Sequence, residues 1–302
     1  MNKREMTGNI LLTVTAIIWG ISFVAQSVGM QYVGPFTYQS IRSLTGFIVM
    51  IPVVMIFGKK GDLQTPEQKK LLLEGGLVCG IIFTVASNLQ QYGIQYTTVG
   101  KAGFLTALYM IIVPMISIFL KKKPTLNLWI SIVIAVAGMY LLCINGEFRL
   151  ATGDIYIILC ALAFSFHILA IDRYANRVDP LKLSLLQYLI CGIVSMVPMI
   201  LFEKVEIGNI LSCWAPLLYG GVLSTGVGYT LQMVGQKFTN PTVASILMCL
   251  ESVFSLIAGI IILGQVPSTR EIIGCVLMFI AIIITQIPAG SRDKEQTEKG
   301  TA

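Results

Sequence analysis

The chain has 302 residues, 55% of them hydrophobic and only 12% charged, with a mean hydropathy of +0.81. Soluble domains carry about 25% charged residues, so a water-soluble globular chain and a disordered one are both excluded. The formal charge of +6 sits in short gaps and tails, where it orients helices and meets anionic headgroups rather than nucleic acid.

A bilayer core about 30 Å thick takes about 20 helical residues per crossing. In chain order the expected spans are 7–30, 36–57, 71–95, 99–120, 126–144, 153–172, 182–202, 213–236, 241–263 and 270–288. The first run follows Lys3 and Arg4. It is too long for a signal peptide and lacks an Ala-x-Ala-like exit near Met30, so it reads as a retained helix. The gaps leave no room for a soluble domain. Cys79, Cys143, Cys160, Cys191, Cys213, Cys249 and Cys275 are scattered through the apolar runs without a CxxC pair. They read as small apolar fillers, not as a disulfide or zinc framework.

The basic residues alternate from gap to gap, and the alternation reverses midway. Lys59, Lys60, Lys69 and Lys70 follow the second span, but only Lys204, between Glu203 and Glu206, follows the seventh. Lys121, Lys122 and Lys123 follow the fourth span, whereas nothing basic precedes Arg270 after the ninth. The gap after the first span has no Lys or Arg; that after the sixth has Arg173, Arg177 and Lys182. Lysine and arginine mark the cytoplasmic side. Of the 21 basic residues, 16 fall on one side, Lys3, Arg4, Lys237 and those from Arg292 to Lys299 included. Four (Lys101, Arg149, Lys204, Arg270) fall on the other, and Arg42 lies inside a span. Both termini are expected in the cytoplasm, and the two halves are expected to face opposite leaflets, the architecture of many transporters.

An internal repeat agrees. Gly8-Asn9-Ile10 aligns with Gly153-Asp154-Ile155, Trp19 with Phe164, Ser22 with His167 and Gly34-Pro35 with Asp179-Pro180 at an offset of 145. Pro52 aligns with Pro198. Gly93, Tyr96 and Thr97 align with Gly235, Phe238 and Thr239, and Gln90 with Gln232, at an offset of 142. Pro124 aligns with Pro267 and Gly138 with Ala281 at an offset of 143. The fold class is therefore an all-α integral membrane protein, ten transmembrane helices forming two inverted five-helix repeats. Residues 1–146 form the first repeat, 147–288 the second, and 289–302 a disordered cytoplasmic tail.

Several short motifs occur in a fixed order over 7–288: Trp19-Gly20 with Ser22 and Phe23, Gln39-Ser40-Ile41-Arg42, Ala102-Gly103-Phe104-Leu105 through Pro114, Leu250-Glu251-Ser252-Val253-Phe254, and Gly274 through Ala281. In that order the chain resembles the drug/metabolite transporter superfamily, specifically the ten-helix exporters of the EamA type. Two positions depart from that pattern. Ser252 stands where the family usually has Pro after the ninth-helix Glu, which bears on bending near Glu251. Gly264-Gln265 stands where Gly-Glu is usual, removing a loop acid. The resemblance implies a central cavity lined by helices one, three, four, six, eight and nine, and export as the direction.

Inside a membrane an ionisable side chain costs about 2.5–3.5 kcal/mol on insertion scales and marks a functional site by default. Glu251 lies ten residues into a helix beginning at Pro241, which at ~1.5 Å per residue puts it ~15 Å deep. It is a partner for a substrate amine, a proton-carrying carboxyl, or a neutral group bonded to a neighbouring helix. His167, the only histidine, is a cavity-lining candidate and a second possible proton-coupling group, against a neutral bonded imidazole. Arg42 lies within snorkelling reach of the outer headgroups and reads as structural. Lys101 reads as an interfacial anchor, and Glu74, Asp154, Asp172 and Arg173 read as solvated helix ends. Asn88, Gln91, Tyr109, Tyr229 and Gln232 offer hydrogen-bonding and aromatic surface, with Trp19 as a wall and Ser22 near it. Gly20 permits either a bend or a close helix contact. Prolines 52, 114 and 198 and the glycine-rich third and eighth spans supply flexible points. Ser131, Ala135, Gly138, Gly274 and Ala281 suggest a close-packed fifth and tenth span.

The expected function is secondary transport, exporting small polar or amphipathic metabolites (amino-acid-like, nucleobase-like or drug-like) by alternating access. The substrate site would comprise Trp19, Ser22, Asn88, Gln91, Tyr109, His167, Tyr229, Gln232 and Glu251. The competing readings are an importer or facilitator of the same substrates and, more remotely, an intramembrane hydrolase built on Ser22 and His167. Gly20-Ile21-Ser22-Phe23 lacks the second glycine of an exposed nucleophile turn, and there is no HExxH or Walker loop. No charge ring supports an ion channel. No cofactor or metal is expected. A monomer in a bacterial-type inner membrane is.

Overall fold

The computed structural model describes residues 3–58, 65–97, 99–119, 125–144, 151–263 and 266–286. Lys59, Lys60, Lys121, Lys122, Lys123, Pro124, Arg149, Gly264-Gln265 and the tail 289–302 lie outside the described residues, as does the side chain of Lys101.

All regular elements among the described residues are helical. They are α1 (Lys3–Gly29), α2 (Pro35–Phe57), α3 (Pro66–Ile94), α4 (Val99–Thr106), α5 (Tyr109–Phe119), α6 (Leu126–Cys143), α7 (Thr152–Tyr174) and α8 (Pro180–Phe202). Then come α9 (Ile207–Ser212), α10 (Trp214–Leu218), a π-helical stretch Tyr219–Tyr229, α11 (Thr230–Gln236), α12 (Pro241–Met248), α13 (Glu251–Leu263) and α14 (Thr269–Gln286). Among the described residues seven stretches are long and apolar enough to cross a bilayer, and Leu126–Leu141 is a shorter apolar helix. The chain is a multi-pass membrane protein. Its surface agrees: large apolar side chains such as Phe119 (86% exposed) and Phe202 (76% exposed) face outward, as lipid requires.

Prolines begin four helices, α2, α3, α8 and α12, where the missing N–H costs nothing. Thr65 and Gln68 form a capping box on α3. Asp179 and Asn240 cap α8 and α12 by accepting from Leu181 N at 3.0 Å and Thr242 N at 2.9 Å. Gly34, preceding α2, has no side chain to do this. Glu203 reaches over from the end of α8, accepting from Phe36 N and Thr37 N, both at 2.8 Å.

Two expected spans are interrupted rather than continuous, and a third changes its helix type. The fourth breaks at Ala107–Leu108 and the ninth at Cys249–Leu250. The eighth is helical from Trp214, after a turn at Cys213, and widens into the π stretch at Tyr219. None of these breaks falls on proline. Pro52, Pro114 and Pro198 lie inside α2, α5 and α8, which run on through them. The π stretch contains Gly220, Gly221, Gly226 and Gly228, and an expanded turn is tolerated where side chains are absent.

The packing repeats when the halves are exchanged. α2 lies on α8, and α6 lies on α14; α3 lies on α7 as α1 lies on the π stretch and α11. The close approaches match too. A Cβ on Gly8 would stand 2.8 Å from Gly235 O, and one on Gly153 would stand 2.7 Å from Gly93 O. Thr239 Oγ1 donates to Asn9 Oδ1 at 3.1 Å, and Thr97 Oγ1 donates to Asp154 Oδ1 at 2.5 Å. These are the residues the two offsets equate. Asp154 is thus a correction: it is fully buried and also accepts from Ala151 N at 2.7 Å, because a helix N-terminus packed against a neighbour needs its orphan donors satisfied. Glu74, although exposed, accepts from Tyr174 Oη at 2.8 Å.

Asp154→Ala is expected to strand Thr97 Oγ1 and Ala151 N and to cost about 1–3 kcal/mol of stability. Thermal unfolding of the detergent-purified protein checks this, and an unchanged midpoint would contradict the role given to this bond.

Candidate functional site

The breaks in the fourth and ninth spans lie against each other. Cys249 Sγ donates to Ala107 O at 3.7 Å, and Tyr109 Oη donates to Glu251 Oε1 at 3.2 Å, each across a separation of 142 residues. That separation is one of the offsets of the internal repeat, so equivalent residues of the two halves meet at the crossing. Cys249 also donates to Ser245 O at 3.1 Å, so it is more than an apolar filler. The ninth span resumes at Glu251 after the break, and Ser252 N bonds back to Cys249 O at 3.2 Å in a tight turn.

A chamber opens beside this crossing. Its polar lining includes Gln26, Arg42, Gln90, Tyr109, Gln232 and Glu251, and its aromatic lining includes Trp19, Phe23, Phe164 and Tyr229. The chamber is narrow: the space that the centre of a water molecule can reach within it is about 30 Å³. The walls hold each other. The rings of Trp19 and Tyr229 lie 4.5 Å apart, and Trp19 Nε1 donates to Ser224 O, in the π stretch, at 3.3 Å. Gly20 stays within an unbroken α1, and a Cβ there would stand 2.6 Å from Glu251 O. It provides close contact, not a bend.

Of the nine residues expected at the site, Trp19, Tyr109, Tyr229, Gln232 and Glu251 line this chamber. Ser22 sits at its margin, bonded to Ser224 Oγ at 2.9 Å. His167 is fully buried behind the wall. Its Nε2 lies 2.7 Å from Gln187 Oε1, and its ring packs 6.2 Å from Phe164 and 6.4 Å from Tyr229. Asn88 donates to Ser195 Oγ at 2.8 Å and borders a separate groove with Tyr92 and Tyr156. Gln91 is fully buried away from the chamber lining, and its amide atoms have no hydrogen-bond partner among the described residues.

Arg42 is the principal correction. It is 1% exposed and lines the chamber instead of reaching headgroups. Tyr38, one turn nearer the start of α2, blocks the outward route: it is fully buried, and its Oη donates to Pro216 O at 3.0 Å. The guanidinium lies 5.8 Å from the Tyr38 ring centre. The rule that flags Glu251 applies equally to an arginine inside a span; distance from the helix end alone hides it. Gln26, Thr106 and Ser224 carry no comparable signal, since small polar residues within spans also bridge helices.

A multi-pass helical protein with a polar chamber wrapped in an apolar shell has the architecture of a transporter. The sequence profile of the EamA-like transporter family matches residues 6–144 and again 151–287. The chain belongs to the EamA-like transporter family, within the drug/metabolite transporter superfamily. An uncharacterized transporter of Archaeoglobus fulgidus is 26% identical over 288 residues, covering 94% of this chain and 87% of the relative. The uncharacterized transporter YoaV of Bacillus subtilis is 22% identical over 281 residues, covering 91% of this chain and 94% of the relative. A protein crystal structure superposes with a TM-score of 0.75 at 20% identity, covering 92% of this chain and 96% of that one, which shows a shared fold.

Gly20→Ala is expected to force α1 off Glu251 and Phe254, costing about 1–3 kcal/mol by overpacking. Thermal unfolding beside the wild type checks it; an unchanged midpoint would mean the contact is looser than the geometry indicates.

Proposed function

We propose that this protein is a secondary transporter that exports small polar or amphipathic metabolites by alternating access. Ten crossings, arranged as two inverted five-helix halves with both termini in the cytoplasm of a bacterial-type cell, would surround the chamber. The observation that carries the reading is the Tyr109–Glu251 bond between equivalent breaks in two helices. Interrupted helices at corresponding positions of two repeats are the strongest pointer to a transporter's binding site. The basic gaps support the sidedness, and the paired ends Asn9–Thr239 and Thr97–Asp154 each join loops that the charge pattern puts on the same side.

The chamber is narrow, with about 30 Å³ open to the centres of water molecules, and parting of the halves would widen it to load a metabolite. Rocking about the crossing would open the chamber to one side and then the other. Glu251 is the group best placed to carry a proton or meet a substrate amine; His167 supports the wall through Phe164 and Tyr229 and is the weaker coupling candidate. Both relatives described above are called transporters, which favours transport over a hydrolase.

In proteoliposomes, Glu251→Gln is expected to abolish or strongly alter substrate counterflow while the protein stays folded and monodisperse; wild-type exchange would remove Glu251 from the mechanism. Collapsing the proton gradient with a protonophore is expected to slow uphill transport in wild-type vesicles, and uphill transport insensitive to it would exclude proton coupling. Single cysteines placed in 59–70 and in 203–212 are expected to label from opposite sides of the membrane; labelling from one common side would overturn the inverted arrangement.

A further inference from the structure

We infer that Arg42 is the anion-binding residue of the chamber, and that the transported molecule carries one carboxylate-type negative charge beside an N–H or O–H donor. The inference rests on the chamber being the substrate site.

The side chain of Arg42 is buried, and none of its Nε, Nη1 and Nη2 atoms has a hydrogen-bond partner among the described residues. Arginine stays protonated in proteins and presents five donors in a planar fork. Buried arginines kept for structure are normally satisfied by carboxylates or backbone carbonyls. Here the guanidinium lies beside the ring of Tyr38 and makes no hydrogen bond to its hydroxyl. The chamber's carboxylate, Glu251, accepts from Tyr109 and makes no bond to Arg42. The fork therefore lies in the wall of a narrow site with its donors unused.

Two acceptors on the same wall are also unused. Gln26 Oε1 and Gln232 Oε1 are buried without partners among the described residues, although Gln26 Nε2 donates to Ser22 Oγ at 3.3 Å. A ligand that completes this lining supplies acceptors to the fork and a donor to the amide oxygens. A carboxylate matches the fork in two parallel bonds. One cation neutralises one negative charge, so a dianionic phosphate monoester would bring one charge more than the fork neutralises. Trp19 and Tyr229 give the rest of the molecule an aromatic face.

The test uses the full chain in nanodiscs, titrated with benzoate, 4-hydroxybenzoate and indole-3-acetate, each beside its primary amide, and with phenyl phosphate. Tryptophan fluorescence and thermal unfolding report binding. The acids are expected to bind saturably, 4-hydroxybenzoate and indole-3-acetate more tightly than benzoate, which lacks the donor, with each amide and phenyl phosphate at least about tenfold weaker than the acids. Arg42→Gln is expected to erase the preference for acid over amide, and Arg42→Lys to keep part of it, because the charge remains but the fork is lost. Without ligand, Arg42→Met is expected to unfold at or above the wild-type temperature, since it removes an uncompensated buried charge; a drop of several degrees would mark a structural group and overturn the inference. Equal binding of acids and amides, no binding of either, or stronger binding of phenyl phosphate would also overturn it. Amide binding that is lost in Trp19→Ala but unchanged in Arg42→Gln would leave the chamber as the substrate site and remove only Arg42 from recognition. Acid binding indifferent to both substitutions would remove the chamber itself.

Discussion

The hydrogen bond from Tyr109 to Glu251 ties together the two places where helices of opposite halves are broken. A broken helix leaves backbone groups unpaired, and in lipid these can be satisfied only within the protein. The two breaks answer this by lying against each other, with Cys249 Sγ on Ala107 O and the turns at 107–108 and 249–250 closed by their own backbone bonds. Everything nearer the periphery depends on the crossing. α1 approaches Glu251 through Gly20, and the π stretch approaches α1 through Trp19 and Ser22. Together they make a polar site that neither half makes alone.

The same solvent argument explains the inside-out distribution of residues. Apolar side chains face outward, where lipid accepts them, and Arg42, Glu251, His167 and the buried amides are gathered inward. Many of these are bonded to a neighbouring helix: Gln90 to Thr106, His167 to Gln187, Tyr188 to Thr230. Unpaired atoms such as Gln39 Oε1 and Gln236 Oε1 belong to amides whose other end is bonded. Arg42 differs in kind, a buried cation with every donor unpaired among the described residues, and it faces the chamber that Gln26 and Gln232 also line. A full charge left without acceptors is far costlier than half an amide, which is why it points to a bound molecule.

Much of this is legible in the residues. Apolar runs of helical length locate the helices, and the offsets of 145 and 142 equate Asn9 with Asp154 and Thr97 with Thr239. Those four form two equivalent bonds. Helix breaks are not legible, because 107–108 and 249–250 carry neither proline nor a glycine pair; they arise where two helices must pass each other closely. Prolines 52, 114 and 198, by contrast, lie within uninterrupted helices. Five of the nine residues expected at the site line the chamber. Asn88 and Gln91 do not, because both belong to α3, and a helix position shows that a residue is buried without showing which neighbour it meets. At Arg42 the distance to the helix end misleads, because Tyr38, four residues earlier, closes the route that distance suggests.

In the proposed mechanism one chamber serves both sides of the membrane in turn. The direct test is to place a lone cysteine at Ser224, at the chamber wall, in an otherwise cysteine-free chain, and to expose right-side-out and inside-out vesicles to a membrane-impermeant thiol reagent. Alternating access requires labelling from both sides, with each side's labelling slowed by bound substrate. Labelling from one side only, under all conditions, would contradict it.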